Sequence, residues 1–491
     1  MRADVLVVGA GPVGLMLAGE LRLGGAEVVV LERLPRPTTE SRASTLHART
    51  MEIFAARGLL EALGTPPNDV MGHFGGVPLD LTLPTPYPGQ WKVPQTRTEE
   101  LLQTWALSLG ATVRRGHALR ALTVTDTGVE AEATGPDGRP VRVSARYVVG
   151  CDGERSTVRE LTGADFPGQD AGRELIRADV AGIDIPDRRF QRLRRGLAIA
   201  ARRPDGVTRV MVHEFGRAAR PRTGAPDFAE VVDVWKRVTG EDIGGGTPLW
   251  VNAFGDASRQ VARYRDGRVL FAGDAAHVQM PVGGQALNLG LQDAVNLGWK
   301  LAAEIRGRAP EGLLDTYHSE RHTVGARVLS NIRAQTTFLL GGPDTEALRE
   351  VFRELIDPAH TRHTRAHLAG LISGLDIRYD VGPGDHPLLG ARMPYGELDE
   401  APDSACRAGR GVLLDLAGPG SPSGPEPRTV AAGWADRVDV VTAAFRTADG
   451  PSALSGARAV LVRPDGHVVW TDSGAGRLET ALHRWFGAPV S

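Results

Sequence analysis

Cysteine is nearly absent from this chain. Only Cys151 and Cys406 occur in 491 residues. That excludes a disulfide framework and a multi-cysteine metal site, and no metal is expected. Lysine is almost as rare: all but three of the 57 basic residues are arginine, the exceptions being Lys92, Lys236 and Lys300. The net charge of -2 offers no global field for nucleic acid or an anionic membrane. No apolar run reaches the roughly 18–20 residues that span a bilayer. The start, MRADVLVVGAG, runs from a strand straight into a glycine loop, without the basic, apolar and cleavage regions of a secretory signal. The chain is 42% hydrophobic, ample for a sizeable core in two or three domains. A cytoplasmic, enzyme-like protein is expected.

What is present begins with a strand–turn–helix–turn–strand unit. Val5–Val8 is an all-apolar run of the kind covered on both faces in a parallel sheet. Val13–Leu23 has helical spacing and is stopped by Gly24-Gly25. Glu27–Leu31 is the second strand. Helical patterns follow at Thr50–Leu63 and Glu99–Leu109, with loops and short strands between Gly72 and Pro94. From about 170 to 268 the pattern turns strand-like, with one helix near Phe228–Val238, which predicts an inserted antiparallel sheet. Helices dominate from Gln285 to about Leu371. GVLLDLAG, VDVVTAAF and ARAVLVRPDGHVVWT read as three strands, and LETALHRWFG as a terminal helix. The predicted division is a nucleotide-binding part at 1–170 and 268–386, a middle part at 171–267 with some of 70–95, and a C-terminal α/β part at 387–491.

Three motifs carry chemistry. Gly9-Ala10-Gly11-Pro12-Val13-Gly14 has the glycine spacing of a dinucleotide turn: Gly9 for the tight turn, Gly11 for backbone approach to a pyrophosphate, Gly14 for helix–strand packing. The helix it opens presents N–H groups and a positive dipole end. Glu32, eighteen positions after Gly14, is placed to take ribose hydroxyls and disfavours a 2′-phosphate, so FAD or NAD is expected, not NADP. Arg33 and Arg42 could pair a pyrophosphate, though in so arginine-rich a chain a surface role is equally open. Next comes Cys151-Asp152-Gly153 ahead of a helical run, where Asp152 could simply cap. Last is VLFAGDAAHVQMPVGGQALNLG. Asp274 could accept ribitol or ribose hydroxyls. The helix opening at Gly284-Gln285 would stabilise negative charge at a reduced flavin's pyrimidine edge. Only one dinucleotide fingerprint is present, so a nicotinamide reductant would bind transiently, as a substrate.

Together, GAGPVG…LER, CDGERSTVR, FAGDAAH…GGQALNLGLQDAVNLGWKLA and LLDTYHSERH resemble the p-hydroxybenzoate hydroxylase superfamily of single-component flavin monooxygenases. More narrowly, SRASTLHARTMEIFAARGLLE, GHFGGVPLD, GLDIRYDVG…HPLLGARMP and RPDGHVVW…RWFGAP resemble the FAD-dependent aromatic-polyketide hydroxylases of angucycline and tetracycline type. The resemblance implies a mixed α/β fold: a Rossmann-type, glutathione-reductase-like FAD domain, an inserted antiparallel substrate domain, and a thioredoxin-like C-terminal domain that lacks CxxC. It implies NADPH (with NADH as the alternative) reducing FAD, O2 adding to give a C4a-hydroperoxide, and oxygen transfer to an aromatic ring. A small-molecule polyketide is the implied partner, in antibiotic biosynthesis, on a monomer or homodimer. Carried over by motif, the cofactor contacts are Gly9, Gly11, Pro12, Val13, Gly14, Glu32, Arg33, Arg42, Gln95, Leu119, Asp152, Asp274, Pro281, Gly284, Gln285, Ala286, Leu287 and Asn288. The departure is Ala286, where many relatives have glycine; it narrows backbone freedom beside a ring that must move.

No catalytic acid or base stands out, since the cofactor carries the oxygen. Candidate substrate neighbours are His73, Phe74, Trp91, Met211, His213, Trp250 and Pro281, with ordinary packing the bland alternative for all but Pro281. The motifs report the flavin and not the fate of the oxygen. Baeyer–Villiger or ring-opening oxygenation, antibiotic inactivation and non-catalytic binding stay open. A flavin halogenase is disfavoured, because no tryptophan pair of the WxWxIP kind occurs.

Overall fold

The computed structural model describes all residues except 40–42, 223, 358–361, 417–426, 445–452, 475 and 491. Its largest sheet has a core of five parallel strands, in the spatial order Val269–Phe271, Pro140–Gly150, Arg2–Val8, Val28–Glu32 and Thr112–Arg115. Arg265–Asp266 and a hairpin formed by Ala118–Val124 and Val129–Thr134 extend it antiparallel. Val5 to Val7 and Val148 to Val149 are fully buried, because helices cover the sheet, as unbroken apolar strands require. The glycine-loop helix, Pro12–Leu23, lies against the long helix Gln285–Ile305. No helix among the described residues is long and apolar enough to cross a membrane.

The chain leaves this sheet after Gly150 and returns at Arg265. Between them, five antiparallel strands take the order Arg188–Leu193, Gly196–Arg202, Thr208–Glu214, Glu174–Ala181 and Thr247–Gly255. Alternation decides the two faces. Ile176, Ala178, Val210 and Val212 point to one side and pack on Val231, Val234 and Trp235 of the helix Phe228–Thr239. Leu175, Leu197, Met211 and Phe254 point to the other and pack on Met280 and Val282.

Three expectations need correction. The helix expected over Thr50–Leu63 is two, Ala48–Ala56 and Leu60–Leu63, separated at Gly58, whose φ of 69° ends the first. The helix expected from Glu99 starts at Gln95, directly after Pro94. The last C-terminal strand candidate is a hairpin, Ala459–Val462 and Val468–Thr471, because Pro464-Asp465-Gly466 is turn chemistry. The C-terminal sheet runs Val438–Thr442, Gly411–Asp415, Ala459–Val462, Val468–Thr471, with the first pair parallel and the others antiparallel. That is a thioredoxin-like core. Cys406 is buried and unpaired.

The hairpin turn anchors this unit to the rest of the chain. Arg463 donates to Glu320 Oε1 at 2.6 Å and Oε2 at 2.9 Å, and Lys300 Nζ donates to Glu320 Oε2 at 2.7 Å. Arg57 holds Glu20 through two bonds and donates to the Pro464 carbonyl at 2.9 Å. Lys300, one of three lysines, is fully buried in this ionic cluster.

Candidate active site

The candidate motifs lie far apart in sequence, and the sheet brings them into one row. Val8 pairs with Leu31 and with Gly150, and Gly150 pairs with Phe271. The glycine loop, Glu32, Asp152 and Asp274 therefore all follow the carboxyl ends of neighbouring parallel strands. In an open α/β sheet that edge is where ligands bind.

The glycine loop is sterically forced. Gly9 has φ 106°, and a Cβ there would lie 2.4 Å from the Cys151 carbonyl oxygen. A Cβ on Gly14 would lie 2.0 Å from the Gly9 oxygen. Gly11 is different: a Cβ there would meet no atom of the described residues beyond its chain neighbours within 4 Å. The space it leaves is open, as close approach of a pyrophosphate needs. Pro12 and Val13 open the helix, and Val13 also packs beneath Gly273 and Gly290. Glu32 locks the loop, accepting from the Ala10 amide and the Leu34 amide, both at 2.8 Å. Asp152 accepts from Ser156 Oγ at 2.5 Å and from the Val158 amide at 3.0 Å. Its carboxylate thus ties down the start of the helix Thr157–Thr162, whose N-cap is Ser156, so Asp152 supports the cap and is not itself the cap residue. Asp274 is exposed in a single 3-10 turn, Gly273–Ala275.

At the other end of the crevice, Pro281 is exposed and flanked by buried Met280 and Val282. The helix Gln285–Ile305 starts from Gly284, in the left-handed region, and no side chain caps it. Its first N–H groups, at Gln285, Ala286 and Leu287, are those a flavin edge would meet. Asn288 secures the loop from below. Its Oδ1 accepts from the His47 amide at 2.8 Å and Thr50 Oγ1 at 2.7 Å, and its Nδ2 donates to the Gly284 and Thr45 carbonyls. His47 Nε2 lies 2.7 Å from the Gly283 oxygen. Two buried polar atoms here, His47 Nδ1 and Gln285 Nε2, have no hydrogen-bond partner among the described residues. The open space at Gly11, the uncapped helix start and these two atoms fit a bound dinucleotide flavin.

Several carried-over contacts sit otherwise. Gln95 accepts from the Ala43 amide at 3.2 Å and donates to Glu99 at 2.9 Å, at the start of its helix. Leu119 is a core side chain in the hairpin beside the sheet, so only its backbone could reach a cofactor. Arg33 is exposed, and Arg42 lies outside the described residues. Among substrate candidates, Met211 faces Met280 and Val282 in one apolar cluster. His213, on the same strand face, is buried with Nδ1 2.8 Å from the Glu174 oxygen. Trp250 stacks on the Arg177 guanidinium at 4.3 Å. His73 stacks on Phe190 at 4.1 Å. Two candidates are not part of this group. Phe74 packs on Phe338 and Phe352 in a separate core. Trp91 pairs with Leu46 and packs into the core of the main sheet.

Residue-by-residue reading of the sequence missed four groups. Asp293, fully buried, accepts from the Gly273 amide, His277 and Arg321. His47 has no motif of its own. Arg177 is one arginine among many, distinguished only by being buried under Trp250 and Phe254. Phe190 has φ 50°, the only positive φ outside glycine among the described residues. Such strain persists where surrounding structure holds it, here against His73.

Burial pushes the His47 imidazole down to about 4 from the ordinary 6.5. Between those values the unfolded chain carries a proton that the folded chain does not. Stability at this site therefore falls as pH drops from about 6.5 towards 4, by about 3 kcal/mol in total. His47→Gln keeps a donor for Gly283 and removes the titration. It is expected to flatten the acid limb in urea-unfolding series between pH 7 and 4; an unchanged limb would refute this assignment.

Residues 2–332 match the FAD binding domain family, and residues 386–489 match the aromatic-ring hydroxylase C-terminal family. The 12-dehydrotetracycline 5-monooxygenase/anhydrotetracycline 6-monooxygenase of Streptomyces rimosus subsp. rimosus is 46% identical, with all of both chains covered. The chain belongs to the FAD-dependent aromatic-polyketide hydroxylases. Similarity within that family extends to a rifampicin monooxygenase of Streptomyces venezuelae, 44% identical over 99% of each chain. Among solved structures, CabE, an aromatic hydroxylase from angucycline biosynthesis, superposes with a TM-score of 0.93 at 52% identity over the whole of both chains. As a polyketide hydroxylase of this family the chain has an FAD-binding domain, and the crevice described above is the part of it that holds the flavin motifs.

Proposed function

We propose that this hydroxylase consumes NADPH and O2 to add one oxygen to an angucycline-like, multi-ring aromatic polyketide, in antibiotic biosynthesis. The observation that carries the reading is the apolar face of the middle sheet, Leu175, Leu197, Met211 and Phe254, laid on Met280 and Val282 at the flavin loop. Bound FAD supplies the redox and oxygen-transfer chemistry. The chain's residues do the rest. Gly9, Gly11 and Gly14 bring backbone N–H groups to the pyrophosphate, and Glu32 faces the adenosine ribose. The helix start at Gln285–Leu287 holds negative charge at the flavin's pyrimidine edge. His47 and Asn288 fix that loop's carbonyls. The apolar sheet face excludes water, which would otherwise uncouple reduction from oxygen transfer. Burial holds His73 at about 4 and lowers His213 below its ordinary value. These histidines orient as neutral hydrogen-bonding rings.

The likeness to a rifampicin monooxygenase favours a second reading, antibiotic inactivation by the same chemistry. One assay separates the outcomes. FAD-loaded protein is offered angucyclines, tetracyclines and anthracyclines, NADPH consumption is followed, and products are identified by NMR. Substrate-triggered NADPH oxidation with one oxygen added and every ring intact is expected. A ring-expanded or ring-opened product refutes hydroxylation. A protein that consumes no NADPH with any of them is a binder, not an oxygenase.

A further inference from the structure

A cavity of about 570 Å³ lies away from the flavin loop, between the helix Ala48–Ala56, the loop at 84–87, and the C-terminal segments at 392–410 and 463–466. Its size falls in the range of small-molecule sites. It is a separate site. Val295 lines it, ten residues into the helix that starts at the flavin loop, which is about 15 Å along the axis. The helix Ala48–Ala56 is a shared wall. Thr50 faces the flavin loop through Asn288, while Arg49, Glu52, Ile53 and Ala56 line the cavity.

The lining specifies a ligand class. Tyr87 and Tyr395 supply rings, and Ile53, Met393 and Pro394 supply apolar surface. One wall pairs arginines with carboxylates. The Glu52 carboxylate is shared by Arg49 at 3.1 Å and Arg392 at 2.9 Å, and also accepts from Thr85 at 2.8 Å. Glu397, a further lining carboxylate, also acts on Arg392, so this wall balances its charge and offers guanidinium donors on side chains only 8% and 14% exposed. Burial pushes the Arg392 pKa down, and Glu52 and Glu397 oppose it. Asp399 and Asp403 are exposed lining residues on the solvent side, and repel a polyanion such as a dinucleotide. A flat, largely apolar ring system with hydroxyl oxygens that accept from the arginines satisfies these conditions.

We propose that this cavity is a second binding site, for a planar polycyclic phenol of the class handled at the flavin. The ligand class rests on the function proposed above; the cavity and its lining do not. The test uses FAD-loaded protein and 1,8-dihydroxyanthraquinone, with stoichiometry from calorimetry and the flavin absorbance spectrum followed in parallel. Two sites per chain are expected, one of which perturbs the flavin spectrum. Ala56→Trp fills the cavity from the shared helix, and Ala401→Trp blocks it from the exposed side, so a folding defect in one leaves the other. Each should lower the stoichiometry from two to one and leave the spectral perturbation intact. A single site that perturbs the flavin spectrum in the unmodified protein, or two sites persisting in both variants, overturns the proposal. An unperturbed flavin spectrum with cavity-dependent binding retained counts against the substrate reading and not against the cavity.

Discussion

Gly14→Ala is expected to give a chain that folds poorly and cannot be loaded with FAD, while Gly11→Ala folds normally and still fails to bind. The two glycines look alike in the motif, and the structure separates their roles. At Gly14 the new methyl would sit 2.0 Å from the Gly9 backbone oxygen and 3.2 Å from Cys151 Cβ. Backbone must move, because the clash is not with a flexible side chain. Overpacking of this kind costs about 3 kcal/mol, on the order of 100-fold in a coupled affinity. At Gly11 no atom of the described residues beyond its chain neighbours lies within 4 Å of the added methyl, so thermal unfolding of the apoprotein should match that of the unmodified chain. The methyl instead occupies the space the pyrophosphate needs. Flavin fluorescence quenching on titration with FAD, read beside the unfolding curve, checks both halves. A Gly11→Ala protein that binds FAD normally would remove the pyrophosphate from this loop.

Much of the crevice was legible in the sequence because its parts are local. Gly9 to Glu32 lie within one strand–helix–strand unit, and turn chemistry with apolar periodicity is enough to read it. The middle sheet was legible as a change of pattern at about 170. The alignment of Val8, Gly150 and Phe271 in one row was not, because pairing across more than a hundred residues leaves no local trace. Substrate candidates fared according to strand face. Met211 and Phe74 are both apolar residues of short strands. Nothing in one dimension says that Met211 points to the flavin loop and Phe74 into the core with Phe338 and Phe352. Arg177 and Asp293 were invisible for another reason: a buried charge is known only by its burial. The misread terminal hairpin came from treating ARAVLVRPDGHVVWT as continuous, when its Pro-Asp-Gly turn is where Arg463 and Asp465 enter the ionic cluster.

The second large effect is expected at Asp293, which touches no candidate ligand contact except through backbone. Asp293 Oδ2 accepts from the Gly273 amide at 3.1 Å and His277 Nε2 at 2.8 Å, and Oδ1 accepts from Arg321 Nε at 2.7 Å. Burial works to raise its pKa, but Arg321 and His277 outweigh burial and hold the carboxyl below its ordinary value. Arg321 is fully buried and also donates to Tyr379 Oη at 3.0 Å and the Leu289 carbonyl at 3.1 Å. Asp293→Ala strands that cation and is expected to cost about 3–5 kcal/mol in urea unfolding. It also frees the Gly273–Asp274 turn, so FAD affinity should fall as well. The two losses can be told apart with Asp293→Ala combined with Arg321→Met, which removes the stranded charge. Stability should then recover in large part, because neither half of the pair is left alone. FAD affinity should stay low, because nothing replaces the acceptor for the Gly273 amide. Recovery of both together would mean that Asp293 serves the fold only and does not position the flavin loop.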